Sequence, residues 1–163
     1  MLASAIVLGV AAGLIFGGGR ASRLAELRVA WWPLLAGAIA ARLGAVALGD
    51  LALAAYLLGF AGIVAVAARN FRLPGMTLIA AGSALNLLVI ALNGAMPVDP
   101  AALSAAGTVM PADPLHEPMD GDTRLGFLGD VIPIPVVRLV YSVGDVLIAA
   151  GGFWLPFAWL RRG

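Results

Sequence analysis

Residues Leu51–Ala68 read LALAAYLLGFAGIVAVAA, an apolar run without a single charged side chain. As a helix rising about 1.5 Å per residue, such a run nearly spans a hydrocarbon core of about 30 Å. Lipid offers no partner to an unpaired backbone N–H or C=O, so a run of this kind must satisfy its backbone internally as a helix. Comparable runs lie at Leu2–Phe16, Val29–Leu48, Met76–Leu92 and Val137–Leu160. None shows the short alternating polarity of a membrane barrel. The sequence therefore predicts an all-α polytopic membrane helix bundle. It forms one domain over residues 1–163, with transmembrane helices at about 2–16, 29–48, 51–68, 76–92 and 137–160 and one long extracytoplasmic loop at 93–135.

Composition agrees with that reading. Of 163 residues, 62% are hydrophobic and only 12% charged, with a mean hydropathy of +1.01. A soluble domain is about half apolar and a quarter charged, so a soluble enzyme and a disordered chain are both excluded. Cysteine is absent, which removes disulfides, thiolate zinc sites and cysteine nucleophiles. The single histidine, His116, rules out His-rich metal centres. All 10 basic residues are arginine; with the Ala/Gly excess this reads as codon bias of a GC-rich bacterial genome.

Arginine placement orients the chain. Arg20, Arg23 and Arg28 occupy the first connection, Arg69 and Arg72 the third, and Arg161 and Arg162 the tail. The 93–135 stretch carries Asp99, Asp113, Glu117, Asp120, Asp122 and Asp130 against Arg124. The expectation is a bacterial inner-membrane protein with the N-terminus outside, the acidic loop outside and the C-terminus cytoplasmic. Leu2–Phe16 lacks a basic leader and a small-x-small cleavage site, so it reads as a retained helix. Five of the 10 prolines fall between Pro97 and Pro118, predicting a largely irregular stretch there. Small residues four apart (Gly9 with Gly13, Gly37 with Ala41, Ala55 with Gly59) would allow close helix approach.

Polar groups inside apolar runs are costly and call for a reason. Arg42 lies well inside the second run, Asn86 and Asn93 share a face of the fourth, and Asp145 lies in the fifth, with Asp130 just before it. All but Asn86 collect near the outer boundary. Each also has a plain structural reading. Ser142-Val143-Gly144-Asp145 fits a capping box, Arg42 could pair with Asp145 or snorkel, Asn86 could bridge helices, and Asp130 could belong to a turn.

Tyr141-Ser142-Val143-Gly144-Asp145, with Ile148 and Gly151, resembles the last-helix motif of lipoprotein signal peptidases, and Gly129-Asp130-Val131-Ile132 occupies the place of that family's upstream aspartate. Gly82-Ser83-Ala84-Leu85-Asn86 is similar to the stretch of its preceding helix. The resemblance implies an aspartyl dyad of Asp130 and Asp145. The chain departs from that pattern in having Ser142 for asparagine, Gly144 for alanine, no Asp-Arg pair after Asn86 and a fifth helix. Over its whole length it resembles a bacterial family of small multi-pass proteins catalogued only as a domain of unknown function. The residues carrying this likeness are Gly18–Leu27, Leu92–Val98, Thr123–Pro133 and Tyr141–Ile148.

Three function classes stay open. As a hydrolase, Asp130 and Asp145 would be catalytic, and Asn86, Asn93 and Arg42 would bind a membrane-anchored peptide or lipid substrate. As a binding module, the same cluster would hold a lipid or small ligand. As a structural protein, it would be an ion pair, a cap and a turn. No cofactor and no metal site is expected: the 113–122 acidic loop lacks EF-hand spacing, and Gly17–Arg20 is no phosphate loop. Membrane lipids are the expected partners, and the lack of a basic stripe argues against nucleic acid.

Overall fold

A computed structural model describes residues 2–16 and 21–161. The glycine run 17–19 lies outside the described residues, as do Arg20 and Arg162 of the orienting arginines. The chain forms α1 (Leu2–Phe16), a 3-10 turn (Ala21–Glu26), α2 (Trp32–Gly44), a second 3-10 segment (Ala45–Leu51), α3 (Ala52–Arg69) and α4 (Met76–Asn93). Then come β1 (Met96–Val98), α5 (Pro100–Ala106), β2 (His116–Pro118), a 3-10 turn (Gly126–Leu128), β3 (Asp130–Ile134), β4 (Leu139–Ser142) and α6 (Val143–Arg161).

Among the described residues, three helical segments are long and apolar enough to cross a membrane: Trp32–Arg69, Met76–Asn93 and Val143–Arg161. Leu2–Phe16 is apolar but shorter. Trp32–Arg69 is folded rather than straight. Gly49, at φ 53 and ψ −119, breaks it, and α2 and α3 pack antiparallel. Gly59 lies on Ala38 and Arg42, and Gly62 on Ala38 and Leu34.

The helices pack in the order α1, α6, α4, α3, α2. Glycine sets the closeness of several contacts. Gly9 faces the Phe153 backbone, Gly13 faces Leu160 and Phe157, and Gly59 faces Ala38, so two of the three small-residue pairs supply a close approach. Gly37 has no neighbour within 4 Å of where a Cβ would stand. At one end of the bundle, the Arg23 Nη1 donates to the Leu160 carbonyl (3.3 Å) and Trp159 Nε1 to the Arg23 carbonyl (3.0 Å). Asn70 closes the α2–α3 hairpin at that end by exchanging two bonds with the Ala30 backbone (2.8 and 2.9 Å).

The other end carries a four-stranded sheet in the order β2-β1-β3-β4, with β1 parallel to both neighbours and β3–β4 an antiparallel hairpin. This corrects the all-α expectation and that of an irregular 97–118 stretch. Proline misleads there because Pro97 and Pro100 sit where no N–H is needed. Pro100 opens α5 behind Asp99, whose carboxylate accepts from the Ala101 N–H (2.8 Å). Pro97 lies in β1, whose pairing with β3 reduces to Val98 opposite Asp130. The last helix starts later than expected: Val137–Ser142, with Val137, Val140 and Tyr141 favouring extended backbone, completes the β3–β4 hairpin. Met96, Leu115 and Leu128 from the sheet end pack with Tyr56, Phe60, Val89, Ile90 and Ile148, seating the sheet on α3, α4 and α6.

The α1–α6 contact gives a direct test. Gly9→Val places side-chain atoms against the Phe153 backbone and is expected to cost on the order of 2–4 kcal/mol. Thermal unfolding in detergent reads this as a lowered Tm. Gly37→Val, facing open space, is the control, and equal Tm values for the two would contradict the packing.

Candidate active site

The site begins with a glycine-to-glycine contact. A Cβ on Gly82 would stand on the Gly144 carbonyl, and one on Gly144 would overlap the Asn86 amide, so α4 and α6 meet backbone to backbone. That closeness turns the fully buried Asn86 into the first turn of α6. Its Nδ2 donates to Asp145 Oδ1 (3.1 Å), and its Oδ1 accepts from Ser142 Oγ (2.9 Å). The Ser142 hydroxyl in turn accepts from the Asp145 N–H (2.9 Å), and the Ser142 N–H donates to Asp145 Oδ2 (3.4 Å). The capping box therefore exists, and Asn86 is built into it. Both oxygens of Asp145 are held, at the positive end of the helix.

Asp130 opens β3 with Ser142 as its ladder partner, three residues before Asp145. Its backbone carbonyl accepts from the Asp99 N–H (3.0 Å). The residue is 8% exposed, and its Oδ1 is buried without a hydrogen-bond partner. Burial and then the Asp145 charge push its pKa up from 3.8 to about 7, against the opposing pull of Arg42. At neutral pH Asp130 thus holds a proton for a substantial part of the time.

Arg42 projects from α2 over the Phe60 ring (4.4 Å to its centroid) and the Tyr56 ring (5.4 Å). Its Nε is buried without a partner, and no ion pair with Asp145 forms within 4.0 Å. Arg42, Tyr141 and Asp145 instead line, with Leu2 and Ile148, a cavity of about 170 Å³.

Asn93 stands apart from this cluster. Its amide donates to the Val89 carbonyl (2.8 Å) and exchanges two bonds with the Arg124 backbone (2.9 and 2.8 Å), tying the loop to the end of α4. It borders an open polar cleft with Glu117, Asp120 and Asp122. In the acidic loop Asp113 accepts from the Leu115 N–H (2.9 Å) and pairs with His116 Nδ1 (2.8 Å). Among the described residues no group of three His, Cys, Asp or Glu side chains is placed to hold a metal ion.

The structure thus joins Asn86 and Asp145 directly, sets Asp130 and Arg42 around them, and leaves Asn93 outside. The Asn86–Ser142 bond and the part of Tyr141 were missed from the sequence. The signal for the bond was the four-residue spacing of Gly82 and Asn86, which puts a small residue and an amide on one helix face; Tyr141 had none.

Residues 27–157 match the model of a family of unknown function, DUF5317, and the chain belongs to that family. No curated protein and no solved structure matches it.

Two outcomes follow from this geometry. Asn86→Leu strips Ser142 and Asp145 of a buried partner and is expected to lower stability by about 1–3 kcal/mol in chemical or thermal unfolding; an unchanged midpoint would contradict the network. The second concerns pH. Folded Asp130 keeps its proton up to about pH 7, while the unfolded carboxyl releases it near 3.8. The folded state therefore binds more protons across that window, and the Asp130 contribution falls as pH rises through it, by on the order of a few kcal/mol. Asp130→Asn should flatten the decline of Tm between pH 5 and 8 and be more stable than the parent at pH 8. An identical pH profile would contradict the buried, protonated carboxyl.

Proposed function

We propose that this protein is an aspartyl-type membrane hydrolase in which Asp130 and Asp145 act as one catalytic pair. The observation that carries the reading is Asp130: a buried carboxyl, raised to about 7, whose Oδ1 has no partner, beside a second aspartate whose oxygens are both held. A pair with one proton between two inequivalent carboxyls is the arrangement acid–base hydrolysis needs. Asp145, as the carboxylate, takes a proton from water as the water oxygen bonds to the scissile carbonyl carbon. Asp130 gives its proton to the carbonyl oxygen, yielding a neutral tetrahedral adduct. Collapse breaks the bond to the leaving group, which takes the proton from Asp145, and the adduct returns a hydroxyl proton to Asp130. Asn86 positions Asp145, Arg42 meets the substrate at the cavity, and Asn93 holds the loop beside it.

The proposed setting is the outer face of a bacterial plasma membrane, with five spans. What supports it is charge: the end holding the sheet has most of the acidic residues and only Arg124 and Arg138 among the arginines of its connections, while Arg23, Arg28, Arg69, Arg72 and Arg161 belong to the opposite connections and the tail. The likeness of Tyr141–Gly151 and Gly129–Ile132 to lipoprotein signal peptidases supports a peptide anchored in the membrane as substrate. The second reading, a non-enzymatic lipid- or ligand-binding or structural module, is favoured by one observation: the capping box already employs both oxygens of Asp145.

Purified protein tested on membrane-anchored peptides separates these readings. Wild type is expected to cleave, and Asp130→Asn and Asp145→Asn each to lose at least about 10²-fold in kcat, within the range of general acid–base catalysis. Absence of cleavage by wild type, or full activity in both variants, would discard the dyad. For orientation, an impermeant thiol reagent on intact cells should label Val109→Cys and spare Arg72→Cys; the reverse pattern would invert the topology.

A further inference from the structure

A second cavity, of about 150 Å³, adjoins the polar one and shares Leu2, Arg42 and Ile148 with it. Its wall draws on five helices, with Ile6 of α1, Ile39 of α2, Ile63 of α3, Ile79 of α4 and Ile148 of α6 in it. The arc is continuous from α1 through α6, α4 and α3 to α2, but no extensive interface joins α1 to α2 among the described residues. The cavity is thus walled in part by α1 and α2, two apolar helices that share no extensive interface.

Two residues with polar side chains, Ser83 and Arg42, break the apolar lining. Ser83 is fully buried and its Oγ has no partner; the Arg42 Nε is likewise buried and unpartnered. Buried donors left alone are costly, and each would gain by meeting an acceptor. Water is a poor occupant, since an ordered water wants 2–4 polar partners and the wall here is otherwise hydrocarbon. A chain carrying one acceptor fits both features: hydrocarbon for the wall and an oxygen for the donors. Arg42 can only donate, so that oxygen must be an acceptor such as a carbonyl.

We infer that this cavity is the chain-binding half of the site, entered sideways between α1 and α2 by an acyl-bearing amphiphile whose carbonyl oxygen accepts from Arg42 Nε and Ser83 Oγ. This names the substrate class of the carboxylate site and rests on the hydrolase reading for the fate of the carbonyl, but not for binding. The head of the amphiphile then lies in the adjoining cavity, against Tyr141 and Asp145.

The chain has no cysteine, so Ile79→Cys gives a single thiol in the cavity wall. Its reaction with N-ethylmaleimide is followed in dodecyl maltoside with monooctanoylglycerol, with 1-O-octylglycerol, which keeps chain and head but lacks the carbonyl, or with octylamine. The ester is expected to slow labelling about fivefold more than the ether, the worth of one hydrogen bond of about 1 kcal/mol. Ser83→Ala should narrow that difference, and Ile63→Trp, or Ile39→Trp if the first misfolds, should abolish protection. Asp130→Asn on the same background should keep protection while losing any cleavage, which separates failure of binding from failure of the hydrolase reading. Equal protection by ester and ether, stronger protection by octylamine, or no protection at all would overturn the inference.

Discussion

The contact on which the rest depends is the one between Gly82 on α4 and Gly144 on α6. Backbone meets backbone there because neither residue has a Cβ, and the space that a Cβ of Gly144 would fill is taken by the Asn86 amide. From that one approach follow the bond from Asn86 to Asp145, the bond from Ser142 to Asn86, and the fixed start of α6. The strand before that start, β4, carries Asp130 to the same place through its pairing with β3. A helix contact thus sets the position of a carboxylate, and a hairpin sets the position of its neighbour.

The two aspartates differ because their surroundings differ. Asp145 has hydrogen-bond donors on both oxygens and the positive end of a helix behind it. Asp130 has burial, a nearby negative charge and no donor on Oδ1. Environments this different are what allow two chemically identical side chains to take separate roles. Arg42 moderates the pair without neutralising it, since it lies over aromatic rings instead of closing onto Asp145.

Much of the helical frame was legible in the sequence because the signal is local. Met76–Asn93 and Ala52–Arg69 lie within a residue or so of the apolar runs that announce them. The 29–48 run was read too long, since Gly49 and the 3-10 segment before α3 turn the chain by backbone geometry that hydropathy does not register. The sheet was illegible for a different reason. β1 and β2 are three residues each, and their parallel pairing joins segments some twenty residues apart. In the site, Asp130, Asp145 and Arg42 were visible as charges out of place among apolar residues. Asn93 was assigned with them on helical spacing, yet Arg124 captures it. The Asn86–Asp145 bond was hidden because it depends on two glycines from distant helices meeting.

A proton held by the buried Asp130 carboxyl near neutral pH is read most directly by infrared difference spectroscopy during a pH titration. The carbonyl stretch of a protonated carboxylic acid is expected to disappear with a midpoint near 7 and to be absent in Asp130→Asn. In Asp145→Asn the same band should titrate at lower pH, because the neighbouring negative charge is gone. A protein in which no carboxylic acid band persists above about pH 5, or whose band is unchanged by Asp130→Asn, would contradict the account.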